Sequence, residues 1–153
     1  MYNALIVLHS WVRWLVLLAG FAVVLRSAMG LGGRKRWGVA DGRGVALFVR
    51  SLDVEVLLGL LLYGIFSPFV KLAFSDVAGA MRDPDLRFWL VEHFSGMVVA
   101  VGLAHYGQIK LRRTPDAGKY RTTVIFMGIA LAAVLLSIPW PGMPSARPLF
   151  RMF

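Results

Sequence analysis

Residues 8–18 read LHSWVRWLVLL, an apolar run that carries two ionisable side chains, His9 and Arg13, four positions apart. On a helix this spacing sets both on nearly one face. A charged arginine in hydrocarbon costs at least about 2.5 kcal/mol, so the run predicts a partner for Arg13 and a task for the pair.

The run is part of a longer apolar stretch, residues 4–25, and three more follow at about 52–70, 88–106 and 122–139. Each approaches the roughly 20 residues that cross a hydrocarbon core as a helix. With 153 residues, 58% of them apolar, and a mean hydropathy of +0.69, the chain is too greasy for an ordinary soluble domain. The reading is an all-α, integral membrane four-helix bundle, one domain over 1–153, with connections at 28–50, 71–87 and 109–121. The first stretch has no Lys or Arg before it and outruns a signal-peptide core, so it is expected to be a retained helix. No internal repeat or low-complexity segment is present.

Charge sets the expected orientation. Arg26, Arg34, Lys35, Arg36, Arg43 and Arg50 flank or fill the first connection, and Lys110, Arg112, Arg113, Lys119 and Arg121 the third, eleven of the seventeen basic residues. In the second, Lys71, Arg82 and Arg87 are offset by Asp76, Asp83 and Asp85. The positive-inside rule then makes connections one and three cytoplasmic and leaves both termini on the outer, periplasmic side. Trp11, Trp14, Trp89 and Trp140 fall near that outer surface, where interfacial aromatics belong. A net charge of +9 would suggest nucleic acid in a soluble chain. Here the charge lies at membrane edges, so lipid is the expected partner and nucleic acid is not.

The chain has no cysteine, which removes disulfides, thiolate metal sites and cysteine nucleophiles. No Walker loop, nucleophile elbow or Rossmann fingerprint occurs, and GLGGRK in the first connection lacks the strand context of a phosphate loop. Asp53 and Glu55, two apart, point to different sides of their helix and make a poor acid/base pair.

Three histidines remain. His9 lies about five residues into the first expected helix and His93 about six into the third, so both sit roughly 8 to 10 Å below the outer edge on helices running in the same direction. If those helices are neighbours or diagonal across the bundle, the two imidazoles could ligate a haem iron axially; the alternative is two interfacial histidines bonded to backbone or water. Zinc or copper would want more ligands, and Met97 and Glu92 are weak additions. On the face of His93, Gly96, Met97, Ala100 and Ala104 either leave room for a flat macrocycle or form small-residue helix packing. Arg13 either meets a haem propionate, pairs with Glu92 or snorkels outward, and Glu92 is alternatively an acceptor for an imidazole nitrogen. His105, about 18 Å further along its helix, cannot join the site and is expected to bond Asp53 or Glu55.

At LHSWVRW, RFWLVEHFSGM and SIPWPG the chain resembles a family of small bacterial four-helix membrane proteins labelled cytochrome b, over nearly its whole length. The resemblance implies a multi-pass protein of the bacterial inner membrane with one b-type haem on His9 and His93. A weaker likeness, through the Leu8-His9 pair, is to small haem-binding membrane proteins of the copper-resistance D and protoporphyrinogen oxidase type, whose further His and Lys pattern is absent. The expected function is electron transfer rather than enzymatic chemistry of its own, with quinone or other integral membrane proteins of an electron-transfer complex as partners. The competing reading is a cofactor-free accessory subunit of a respiratory or photosynthetic complex, with the tail PWPGMPSARPLFRMF as a contact surface.

Overall fold

The computed structural model describes residues 1–33 and 35–151, and all its regular elements are helical. Helix α1 (Tyr2–Gly30) contains no proline and runs 29 residues, about 43 Å. It ends where Gly33 adopts φ +72, a left-handed conformation that glycine enters freely. Gly30 lies so close to the Tyr120 ring that a Cβ there would stand 2.6 Å from it.

Helix α2 (Val39–Leu61) begins thirteen residues before the sequence expectation of about 52. Gly42, Gly44, Arg43 and Arg50 read as a connection, yet Asp41 supplies what that reading lacked. Its Oδ2 accepts the Gly38 N–H at 2.8 Å, closing the first turn, while Oδ1 takes the Arg26 guanidinium and the Tyr120 hydroxyl donates to Oδ2 at 3.2 Å. Asp41 is thus a buried knot joining α1, α2 and the start of α7.

A π-turn, Leu62–Phe66, follows α2. Pro68 then forces Ser67 into an extended conformation, and three short helices succeed one another: α3 (Pro68–Ser75), α4 (Val77–Ala80) and α5 (Pro84–Arg87). Ser67, Asp76 and Asp83 cap them through side-chain oxygens. The second connection is therefore a folded cap, with Leu90 and Leu86 packed under Ala73 and Ala80. A second π-turn, Phe88–Glu92, leads into α6 (His93–Arg113). Pro115 ends α6 and opens α7 (Asp116–Leu136).

Helix α1 packs on α2 and α7, and α6 packs on α2 and α7, so α1 and α6 face each other across the centre. The core between them holds Val16, Phe48, Leu52, Met127, Ala130 and Val134. The outer faces are apolar too: Leu8, Trp11, Leu15, Leu18, Phe21 and Leu25 of α1 are all exposed. Three helical segments, Tyr2–Gly30, Pro84–Arg113 and Asp116–Leu136, are long and apolar enough to cross a membrane.

Candidate functional site

The rings of His9 and His93 meet across the centre from the facing helices α1 and α6, centroids 6.2 Å apart and planes at 84°. Each Nδ1 is turned to a different helix. His93 Nδ1 donates to the Ser137 carbonyl at the end of α7, at 2.7 Å. A carbonyl only accepts, so the neutral ring carries its proton on Nδ1 and presents a bare lone pair at Nε2. His9 Nδ1 faces Glu55 Oε2 of α2 at 3.3 Å, within ion-pair reach but not aligned as a hydrogen bond. Among the described residues neither Nε2 has a hydrogen-bond partner in the protein. Phe88 and Trp89 of the second π-turn pack against His93 at 5.9 and 5.5 Å.

Two cavities flank the histidine pair, of about 100 and 50 Å³, and both are lined by His9, Glu55, Gly59, Tyr63, His93 and Met97. Gly59 gives His9 its clearance, since a Cβ there would stand 3.4 Å from the imidazole Cε1. The Tyr63 hydroxyl donates to Leu90 O at 3.0 Å and so ties the two π-turns together beside the site. Insertions of this kind recur at functional positions. Glu55 is only 3% exposed. Buried side-chain atoms without hydrogen-bond partners are confined, among the described residues, to His9 Nδ1, Glu55 Oε2 and Arg13 Nε, all three from residues lining the larger cavity. Buried polar atoms are normally satisfied, so their concentration here marks this cavity as the place where stability was given up.

Arg13 does not pair with Glu92. Its Nη2 donates to Leu149 O at 2.6 Å and Ser10 Oγ at 3.2 Å, whereas Glu92 lies on the exterior bonded to Arg87 at 2.7 Å. Nor does Glu92 hold an imidazole: Ser137 O bonds His93, and Glu55 stands beside His9. Gly96 is absent from the cavity walls. It faces Ser137, whose Oγ a Cβ would strike, and with the fully buried Ala100 and Ala104 it serves the packing of α6. Met97 alone of that small-residue face lines the cavities. His105 is distant from the site and pairs with Asp53 through Nε2 at 2.7 Å.

The tail is not a free contact surface. Residues 137–151 fold back over the cavity: Leu149 O accepts from Ser10, Arg13 and Trp14, Phe150 stacks on Trp14 at 4.8 Å, and the Trp11 indole donates to Arg151 O. Arg147 pairs with Asp85 at 3.2 Å and lies over Phe69 and Trp89. Arg147 and Arg151 thereby join Arg13 on the cavity wall. The contributions of Glu55, Gly59, Tyr63 and the tail were missed by sequence reasoning. The one signal available for Glu55 was a carboxylate within an apolar helix. Among the described residues no group of three or more His, Cys, Asp or Glu is arranged to hold a metal ion. No protein-family model, curated protein or solved structure matches the chain.

Proposed function

We propose that the chain is a small membrane cytochrome, a four-helix transmembrane bundle with both termini on the periplasmic side, in which His9 and His93 hold one b-type haem. Helix α2 is the fourth span: it packs along α1 and α6, so a bilayer that contains them contains it. The observation that carries the haem reading is the histidine pair, two rings 6.2 Å apart, with His93 Nδ1 bonded to Ser137 O and His9 Nδ1 facing Glu55. His9 and His93 would hold such a group through their two free Nε2 atoms, and it would supply the redox chemistry that the side chains lack. The resemblance in LHSWVRW and RFWLVEHFSGM supports the same residues.

When bound, such a group supplies a one-electron redox centre near the outer face, and the chain supplies ligation, orientation and dielectric. Ser137 O fixes the rotation of the His93 ring, as an acceptor behind a ligating imidazole does, while Glu55 stands within ion-pair reach of His9. Arg13, Arg147 and Arg151 place positive charge where a ligand's carboxylates would lie. The two cavities, about 100 and 50 Å³, are smaller than the usual ligand pocket of about 300–1,000 Å³, so binding a macrocycle would require the lining side chains to rearrange. With that group bound, the protein would relay electrons between quinol or a membrane enzyme and an outer acceptor.

The test is an optical spectrum of protein expressed with haem available. Soret and alpha bands are expected, lost in His9→Ala and in His93→Ala and retained in His105→Ala. A spectrum that survives His93→Ala refutes the assignment. The small volume of the cavities favours one other reading, a cofactor-free accessory subunit, and protein that purifies without any Soret band establishes that instead.

A further inference from the structure

On the flank formed by α2 and α6, Asp53 and His105 are paired through Oδ1 and Nε2 at 2.7 Å, yet their side chains stay 42% and 48% exposed. Around them Val54, Leu57, Val98, Tyr106 and Ile109 are exposed, with exposed Arg50 one turn before Asp53. Along α6, His105 lies five residues before Lys110, about 8 Å from the basic edge. In the proposed bundle the pair therefore lies on the lipid-facing flank, close to its cytoplasmic edge. Ionisable groups within membranes almost always face protein or water, and a half-solvated ion pair left against lipid is costly.

We propose that this flank is a two-fold interface with a second copy of the chain. The pair is its own complement. Asp53 Oδ2 and His105 Nδ1 have no hydrogen-bond partner among the described residues, so each copy offers one acceptor oxygen and one imidazole nitrogen. About a two-fold axis, with the imidazoles protonated, Nδ1–H of each copy donates to Oδ2 of the other and the ion pairs close into a neutral ring. Isologous contacts are built on such self-complementary patches. Gly102, one turn before His105, is exposed, and a Cβ placed on it would meet nothing within 4 Å. The resulting dip lets a second helix approach closely. The interface requires only the membrane-spanning part of the proposed function and is independent of haem.

The chain contains no cysteine, so Gly102→Cys introduces a sole thiol. Oxidation in native membranes is expected to yield a homodimer, while Leu18→Cys on the outer face of α1 stays monomeric. His105→Ala and Asp53→Asn, each combined with Gly102→Cys, should lower the crosslinked fraction several-fold. Gly102→Trp, which fills the dip without touching the interior, should convert detergent-solubilised dimer to monomer with any haem spectrum unchanged. No homodimer from Gly102→Cys, a crosslinked fraction indifferent to His105→Ala, or a crosslink to a different protein overturns the proposal. Loss of the chain from the membrane pellet on alkaline washing overturns the membrane reading and this interface with it, whereas a pelleted, uncrosslinked protein overturns the interface alone.

Discussion

The tautomer of His93 is chosen by a backbone carbonyl, whereas His9 only faces a carboxylate at 3.3 Å, so the two imidazoles differ electrostatically although they share a level. Glu55 lies near His9, and Arg13 lines the same cavity. With haem bound, Glu55→Gln removes a negative charge, favours the reduced state and should raise the midpoint potential. Arg13→Ala should lower it. Each shift should be on the order of 1–2 kcal/mol, read by redox titration, and shifts of the same sign would show that neither charge is felt at the site. At the opposite end, Asp41 accepts from the Gly38 N–H, Arg26 and Tyr120 and so joins three helices. Asp41→Asn should lower the melting temperature near neutrality, by the equivalent of about 1–3 kcal/mol for a disrupted buried acceptor, read by thermal unfolding. The meeting of His9 and His93 was legible because depth and direction follow from counting residues along two helices. The partner of Arg13 was not, because it is a main-chain carbonyl 136 positions away and leaves no mark in side-chain patterning.

Among elements, the long apolar helices were readable from hydropathy, whereas the start of α2 and the fold of the second connection were not. Glycines and arginines at 42–50 carry loop chemistry locally, and only tertiary bonds to Asp41 reverse it. In the second connection, Ser67-Pro68, Asp76 and Asp83-Pro84 are cap signals spaced too closely to look like helices. Gly96 admitted two meanings, and the proximity of Ser137 decides for packing. The tail has no periodicity at all, so its return over the cavity could not be foreseen. It is held to the cap by Arg147 on Asp85 and to α1 by Leu149 O. Ser10, only 5% exposed, lies beneath it. A cysteine at Ser10 should resist a membrane-impermeant thiol reagent, and Arg147→Ala should raise its labelling rate several-fold. Unchanged labelling would show that the tail stays closed without its arginine.

For the whole molecule, the basic residues gather at the end opposite His9 and His93, the end of Arg26, Arg43 and Arg121. The proposed orientation puts that end in the cytoplasm, so a reporter fused after Arg36 should read cytoplasmic and one fused after Asp83 periplasmic. The reverse pattern would place the histidine pair on the cytoplasmic side. The returning tail also carries a consequence for biogenesis. All four walls of the cavity, through the end of α7 at Leu136, are synthesised before the segment that closes it. At about 5–20 residues per second, the ribosome leaves the mouth open for about a second or more after the last wall is made. If the proposed haem binds, it would meet an open mouth during that interval and afterwards a tail held by Arg147 on Asp85 and by Leu149 O on α1. Occupancy would then be decided largely at birth, and protein made while the guest is scarce should fill slowly when the guest is supplied later.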